Sequence, residues 1–254
     1  MVDTRTLVEY LHGLLEADAV RDYSPNGLQV EGAPEVRRLL TGVTACQALL
    51  DTAVQWGADA ILVHHGWFWK NEPPQLTDMK RRRVASVLDA GINLLAYHLP
   101  LDVHRGYGNN AELGRRLGVT VTGQVDAGGV PGLLWHGRLD EPVDGAAFAR
   151  RIGEQLQREP LHVEAQPAVG SDAVAWCTGA GQDFIEQAAD LGVDAFVTGE
   201  VSERTHPLGR ASAGCVLHAA GHHATERYGV QALGAHVAER FDLEHRFVDV
   251  DNPA

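Results

Sequence analysis

Gly57-Ala58-Asp59-Ala60-Ile61-Leu62-Val63-His64-His65-Gly66 is the stretch from which the rest of the chain becomes readable. Gly57 closes a helix expected over 45–56, in the role of a C-terminal cap. Ala60 to Val63 is a short apolar run of the kind that forms a buried strand, and it stops abruptly at two histidines and a glycine. Upstream, Val36 to Val43 reads as another strand, so the order is strand, helix, strand, which implies parallel strands flanked by helices. Downstream come an aromatic turn (Trp67, Phe68, Trp69), a break at Pro73-Pro74 and a helix over 78–90 that Gly91 closes. The strand expected over 92–97 again ends in a histidine, at His98-Leu99-Pro100-Leu101-Asp102. Before all this, Leu7, Leu11, Leu14 and Leu15 recur at helical spacing and predict a helix over 3–17. Asn109-Asn110 begins another, through Leu113 to Leu117.

The pattern occurs twice. Thr178-Gly179-Ala180-Gly181, a helix over 182–191, Gly192-Val193-Asp194-Ala195 and a strand at Phe196-Val197 ending in Gly199-Glu200 repeat the order of Thr41 to His65. Anchored on Gly57 with Gly192, Asp59 with Asp194 and Ala60 with Ala195, the two copies coincide apart from a two-residue gap. After each copy comes a further strand ending at a histidine, His98 in one and His222 in the other. We read an internal duplication, with one α/β lobe over 1–124 and a second over 125–254. Between 125 and 169 the character changes; a strand over 133–139 and a helix over 144–157 carry no motif chemistry and read as scaffold or subunit contact.

In open α/β sheets, ligands sit beyond the carboxyl ends of the strands. Four such ends here carry His64-His65, His98 with Asp102, Gly199-Glu200, and Ala219-Ala220-Gly221-His222-His223-Ala224-Thr225-Glu226. His222 and Glu226 are four apart at the start of a helix expected over 224–240, so they share a face. His64 and His65 would point to opposite faces within a regular strand but can converge where the chain turns at Gly66. Lobes facing each other would bring all four clusters into one cleft. His64, His65, Asp102, His222 and Glu226 are more donors than one tetrahedral zinc takes, and two metals sharing carboxylates and water would use them well. Zinc, manganese, iron and nickel all suit such donors. His98 reads either as a ligand or as a partner that orients one. His223 points away from His222 or serves as an acid near substrate.

Composition excludes several alternatives. The net charge of -13 over 254 residues repels polyanions, so nucleic acid is not the expected partner. Lys80-Arg81-Arg82-Arg83, the one basic run, reads as a solvated helix face. Cys46, Cys177 and Cys215 lack the spacing of a disulfide framework or a thiolate zinc site. No leader-like segment opens the chain, and no apolar run reaches the roughly 18 residues a membrane span needs, so the expected location is the cytoplasm, away from membranes. Gly-x-Ser-x-Gly, the Walker loop, the dinucleotide Gly-x-Gly-x-x-Gly and His-Glu-x-x-His are all absent.

The chain resembles the Nif-three-like dinuclear-metal proteins, the GTP cyclohydrolase 1 type 2 homologues, over essentially its whole length. The likeness rests on Asp22-Tyr23-Ser24-Pro25-Asn26-Gly27-Leu28-Gln29-Val30-Glu31-Gly32, Val63-His64-His65-Gly66, His98-Leu99-Pro100-Leu101-Asp102, Thr198-Gly199-Glu200-Val201-Ser202-Glu203 and Ala219 to Arg227. It is nearest the short bacterial branch that lacks a large inserted domain. The resemblance implies two interlinked α/β lobes of related topology, the C-terminal tail crossing back to the first, with the metal site in the cleft between them. It implies a homohexameric toroid with metal pairs facing its interior, two divalent ions per chain, and ligands at His64, His65, Asp102, His222 and Glu226. It also implies a hydrolase in which a metal-bridged hydroxide opens the imidazole ring of guanine in GTP and releases formate. On residue type, His98 or His223 would then be the acid, Asn26 or Gln29 would contact the base, and Glu200 is placed with them on the substrate side. Competing expectations are a two-metal phosphoesterase acting on nucleotides or short nucleic acids, which would need Lys80 to Arg83 or Arg227 at the metals, and a metal storage, delivery or scaffold protein. Pro207 departs from the family pattern by interrupting the helix expected near His206.

Overall fold

The computed structural model describes residues 1–163, 170–205 and 215–254; His206 and Pro207 lie outside them. Along the chain the elements are β1 (Val2–Asp3), α1 (Thr4–Leu14), β2 (Gly27–Val30), β3 (Glu35–Val36), β4 (Arg38–Thr44), α2 (Gln47–Trp56), β5 (Ala60–His65), α3 (Asp78–Asp89), β6 (Asn93–Ala96) and α4 (Leu99–Val103). There follow α5 (Asn109–Leu117), β7 (Val119–Ala127), β8 (Val130–Val143), α6 (Gly145–Leu156), β9 (Leu161–Val163), β10 (Ser171–Cys177), α7 (Ile185–Asp190), β11 (Ala195–Thr198), β12 (Val216–Ala219), α8 (His222–Phe241) and β13 (Glu244–Phe247). The architecture is α/β, in two compact units. One comprises Met1–Gly108 with Gly229–Asp251, the other Asn109–Tyr228 with Asn252–Ala254. The chain therefore leaves the first unit at Gly108 and re-enters it within α8.

The first unit is built on a five-stranded sheet in the order β13-β4-β5-β6-β2, parallel except for β2. Its central strands are buried on both faces, as parallel strands covered by helices must be. The period-two alternation of a strand sorts their residues into two cores. Leu39, Val43, Leu62 and Leu95 face α1 and the Val230, Leu233 and Val237 stripe of α8. Leu40, Ile61, Val63, Leu94 and Ala96 face Leu49, Leu50 and Ala53 of α2 and Val84 and Val87 of α3. β13 brings the C-terminal segment into this sheet, pairing in parallel with β4.

The second unit has a six-stranded sheet in the order β7-β8-β10-β11-β12-β9. β10, β11 and β12 are parallel, β9 is antiparallel at one edge, and the long β7–β8 hairpin extends the other. Val174 and Trp176 of β10 and Ala195 and Val197 of β11 pack with Phe148, Ile152 and Leu156 of α6. β7 was not expected from the sequence: its burial is mostly intermediate or exposed, so it lacks the apolar run that marks the other strands. α4 was expected only as a turn. Its Pro100 sits in the first helical turn, where a missing N–H costs nothing.

The two parallel triads share a glycine cap and an aspartate tie. Gly57 and Gly192 both end a helix with positive φ, 70° and 71°, a conformation that glycine adopts without a Cβ penalty. Asp59 Oδ2 accepts from the amides of Arg37 and Arg38 at 2.8 Å each, and Asp194 Oδ2 accepts from those of Asp172 and Ala173 at 3.2 and 3.1 Å. Each aspartate thus ties the strand that begins after it to the start of the previous one. Among the described residues, no helix is long and apolar enough to cross a membrane.

Candidate metal centre

In the first unit the donors lie at the carboxyl ends of β5 and β6. β5 stays in register to its last residue, with Thr44 opposite His65, and beyond it the rings of His64 and His65 converge, their centroids 4.4 Å apart. His98 caps α4, whose single turn places Asp102 over it, with the Asp102 amide donating to the His98 carbonyl at 3.2 Å. The ring of His98 stands 5.0 Å from that of His64 and 5.8 Å from that of His65. Each of these three histidines offers a ring nitrogen within 4.8 Å of the others, a spacing that could hold a metal ion. Asp102 Oδ1 is 3.6 Å from His64 Nε2, and both side chains are buried.

In the second unit the donors follow β11 and β12. α8 starts at His222, and its first turn sets His222 Nε2 3.0 Å from Glu226 Oε2. Thr225 fastens that turn: its hydroxyl donates to the His222 carbonyl at 2.8 Å and accepts from the Gly179 amide at 3.0 Å. A Cβ on Gly179, whose φ is +64°, would collide with Glu226 Oε1, so glycine is what lets this loop close on the carboxylate. Burial alone would lower the pKa of His222, but bonds to Glu226 and Glu200 and their charges outweigh it and raise it to about 9.

In each of the four histidines it is Nδ1 that is held. His64 Nδ1 lies 3.1 Å from the Tyr97 carbonyl, His65 Nδ1 3.1 Å from Thr44 Oγ1, His98 Nδ1 2.9 Å from Asp22 Oδ1, and His222 Nδ1 2.6 Å from Glu200 Oε1. Holding one ring nitrogen orients the imidazole, as metal-ligating histidines are commonly oriented; His222 meets Glu226 through its other nitrogen as well. Imidazole and carboxylate donors held this way fit a divalent cation of the zinc, manganese, iron or nickel type.

Three residues expected at the substrate are engaged with the protein itself. Gln29 donates through Nε2 to the carbonyls of Pro25 and Trp67, and its Oε1 accepts from the Trp67 amide, so both ends of the side chain clamp the turn after β5. Asn26 Oδ1 accepts from the His98 amide at 2.7 Å, and its Nδ2 donates to Asp22. Glu200 bonds His222, as above. Each of the three therefore helps to hold the loops around the histidines. His223 is buried one residue on from His222, its amide donating to the Ala254 carbonyl at 3.4 Å.

A family model described as Duf34/NIF3 (NGG1p interacting factor 3) matches residues 2–253. The chain belongs to this family. A relative from Allochromatium vinosum, named GTP cyclohydrolase 1 type 2 homolog, is 54% identical and covers 100% of this chain and 98% of its own length. One of the same name from Pseudomonas aeruginosa is 53% identical over 98% of each chain. A solved structure described as protein ybgI, of unknown function, matches with a TM-score of 0.95 and 48% identity, covering 100% of both chains. In this Duf34/NIF3 chain, the partners that sequence reasoning overlooked are Asp22 and Thr44. Asp22 belongs to the stretch that carries the resemblance, but beside Ser24-Pro25-Asn26-Gly27 it read as part of a turn. Nothing local marks either residue as the neighbour of a histidine distant in sequence.

Proposed function

We propose that this protein is a divalent-metal-dependent hydrolase that opens the guanine imidazole ring of a nucleotide such as GTP, with its imidazole and carboxylate donors holding the cations. The observation that carries the reading is the four histidines, each oriented by a partner at Nδ1, alongside Asp102 and Glu226. The relatives' name, GTP cyclohydrolase 1 type 2 homolog, supplies the substrate class. Bound divalent cations lower the pKa of water towards neutrality and polarise the group under attack.

The chain's own residues supply position. Tyr97, Thr44 and Glu200 keep His64, His65 and His222 from rotating, so a ligand geometry need not be assembled during binding. Asp102 and Glu226, 5% and 3% exposed, bring negative charge into a dry environment where it attracts cations strongly. His98 is within reach of the first donor set to ligate or to exchange a proton.

The phosphoesterase reading is less favoured. It calls for basic groups at the metals, whereas Lys80 pairs with Glu72 at 3.3 Å and donates to the Pro73 carbonyl. The decisive assay is formate release from GTP by purified, zinc- or manganese-loaded protein, with phosphate release followed in parallel. Formate production that His64→Ala abolishes is expected. Turnover no higher than in that variant would refute the cyclohydrolase reading, and metal exchange without turnover would favour a delivery role.

A further inference from the structure

Asp22 lies at the centre of an acceptor arrangement that the proposed reaction does not by itself explain. Its side chain is 3% exposed. Oδ1 receives the amides of Tyr23 and Ser24 at 2.6 and 3.2 Å and faces His98 Nδ1 at 2.9 Å. Oδ2 receives the Leu99 amide at 2.9 Å and the Asn26 side-chain amide at 3.0 Å. Asn26 completes a closed ring of contacts by accepting the His98 amide. The main chain and the imidazole of His98 are therefore both held from one loop. Tyr23 and Trp69 stand edge-on to the same ring at 5.1 and 5.0 Å, which limits its rotation further.

We propose that Asp22 is a positioning residue of the first donor set: its carboxylate locks His98 as the Nδ1–H tautomer and so presents Nε2 beside His64 and His65. An ionised carboxylate only accepts, and every other neighbour of Asp22 named above is an N–H donor. The proton in the Asp22–His98 bond therefore belongs to the imidazole. A neutral imidazole carries one N–H, so Nε2 keeps its lone pair. Of the ring's two nitrogens, Nε2 is the one left to join the His64 and His65 donors. A third imidazole there would complete a three-histidine set at which Asp102 is a near neighbour. The consequence for metal affinity rests on the metal-dependent reading above; the tautomer lock does not.

The test uses full-length, metal-free protein labelled with nitrogen-15. Long-range proton–nitrogen correlations read each histidine tautomer at mildly alkaline pH, and zinc affinity is measured by competition with a chelator. The wild type should show His98 as Nδ1–H. In Asp22→Asn an amide N–H2 replaces one acceptor oxygen, so donor faces donor. His98 should then populate the Nε2–H form, and zinc should bind ~10–100-fold more weakly. His222 should keep its signature, and Asp22→Glu, which retains the carboxylate, should recover part of the loss. A wild-type His98 found as Nε2–H overturns the proposal, even if the variant does not fold. So does Asp22→Asn with both tautomer and affinity unchanged. A lock present in wild type that binds no zinc upholds the role of Asp22 and refutes the metal reading instead.

Discussion

The β4–β5–β6 and β10–β11–β12 triads are two versions of one design whose strand ends carry different chemistry. Both are parallel, and both have an antiparallel strand on the third member, β2 in one and β9 in the other. In both, an aspartate after the glycine cap ties adjacent strand starts together. Beyond the carboxyl ends they diverge. The first triad delivers three imidazoles and Asp102; the second delivers His222 between two carboxylates, Glu200 and Glu226. The scaffold thus decides where donors stand, and the few residues after each strand decide their charge. The second set surrounds its one imidazole with negative charge, which raises the pKa of His222.

The largest effect should come from removing one donor from each set. His64→Ala and Glu226→Ala should each lower the metal content of zinc- or manganese-loaded protein, read by plasma mass spectrometry. An unchanged content in both variants would mean that neither residue is a ligand. A smaller effect should appear in the pH dependence of the second set alone. His222 is raised above its unfolded value, so its stabilising contribution in the metal-free protein is complete below pH about 6.5 and is lost as pH rises through about 9. Zinc must displace that proton, so affinity should climb up to ~tenfold per pH unit and level off near 9. Glu200→Gln removes one source of the shift and should move the plateau to lower pH; an unmoved plateau would mean that Glu226 sets it alone. The smallest effect concerns the scaffold. Gly57→Ala and Gly192→Ala should each cost about 1 kcal/mol in thermal or denaturant unfolding, because both caps are left-handed. Gly57 should cost slightly more, since its Cβ would come within 3.3 Å of Arg38 Nη1 while that of Gly192 meets nothing within 4 Å.

Much of this was legible in the chain because the signals are local. Apolar runs closed by glycine mark β5 and β11, and the spacing of His222 and Glu226 needs only a helix to become a shared face. The hairpin strand β7 was not legible, since an exposed strand carries no apolar run. Nor were the bonds that engage Gln29, Asn26 and Glu200, because residue type alone cannot distinguish an amide that meets a substrate from one that meets a carbonyl.

By itself the sequence determined the α/β class, the doubled strand–helix–strand pattern and which residues carry metal-donor side chains at strand ends, for these depend on periodicity and chemical type. Tertiary structure alone decided that α8 is shared between the two units, that β13 joins the first sheet, and which acceptor holds each histidine. Asp22 and His98 are 76 residues apart and meet at 2.9 Å only once β2 has paired with β6. A hydrogen bond of that length depends on positions set by the whole sheet, and no local pattern encodes them.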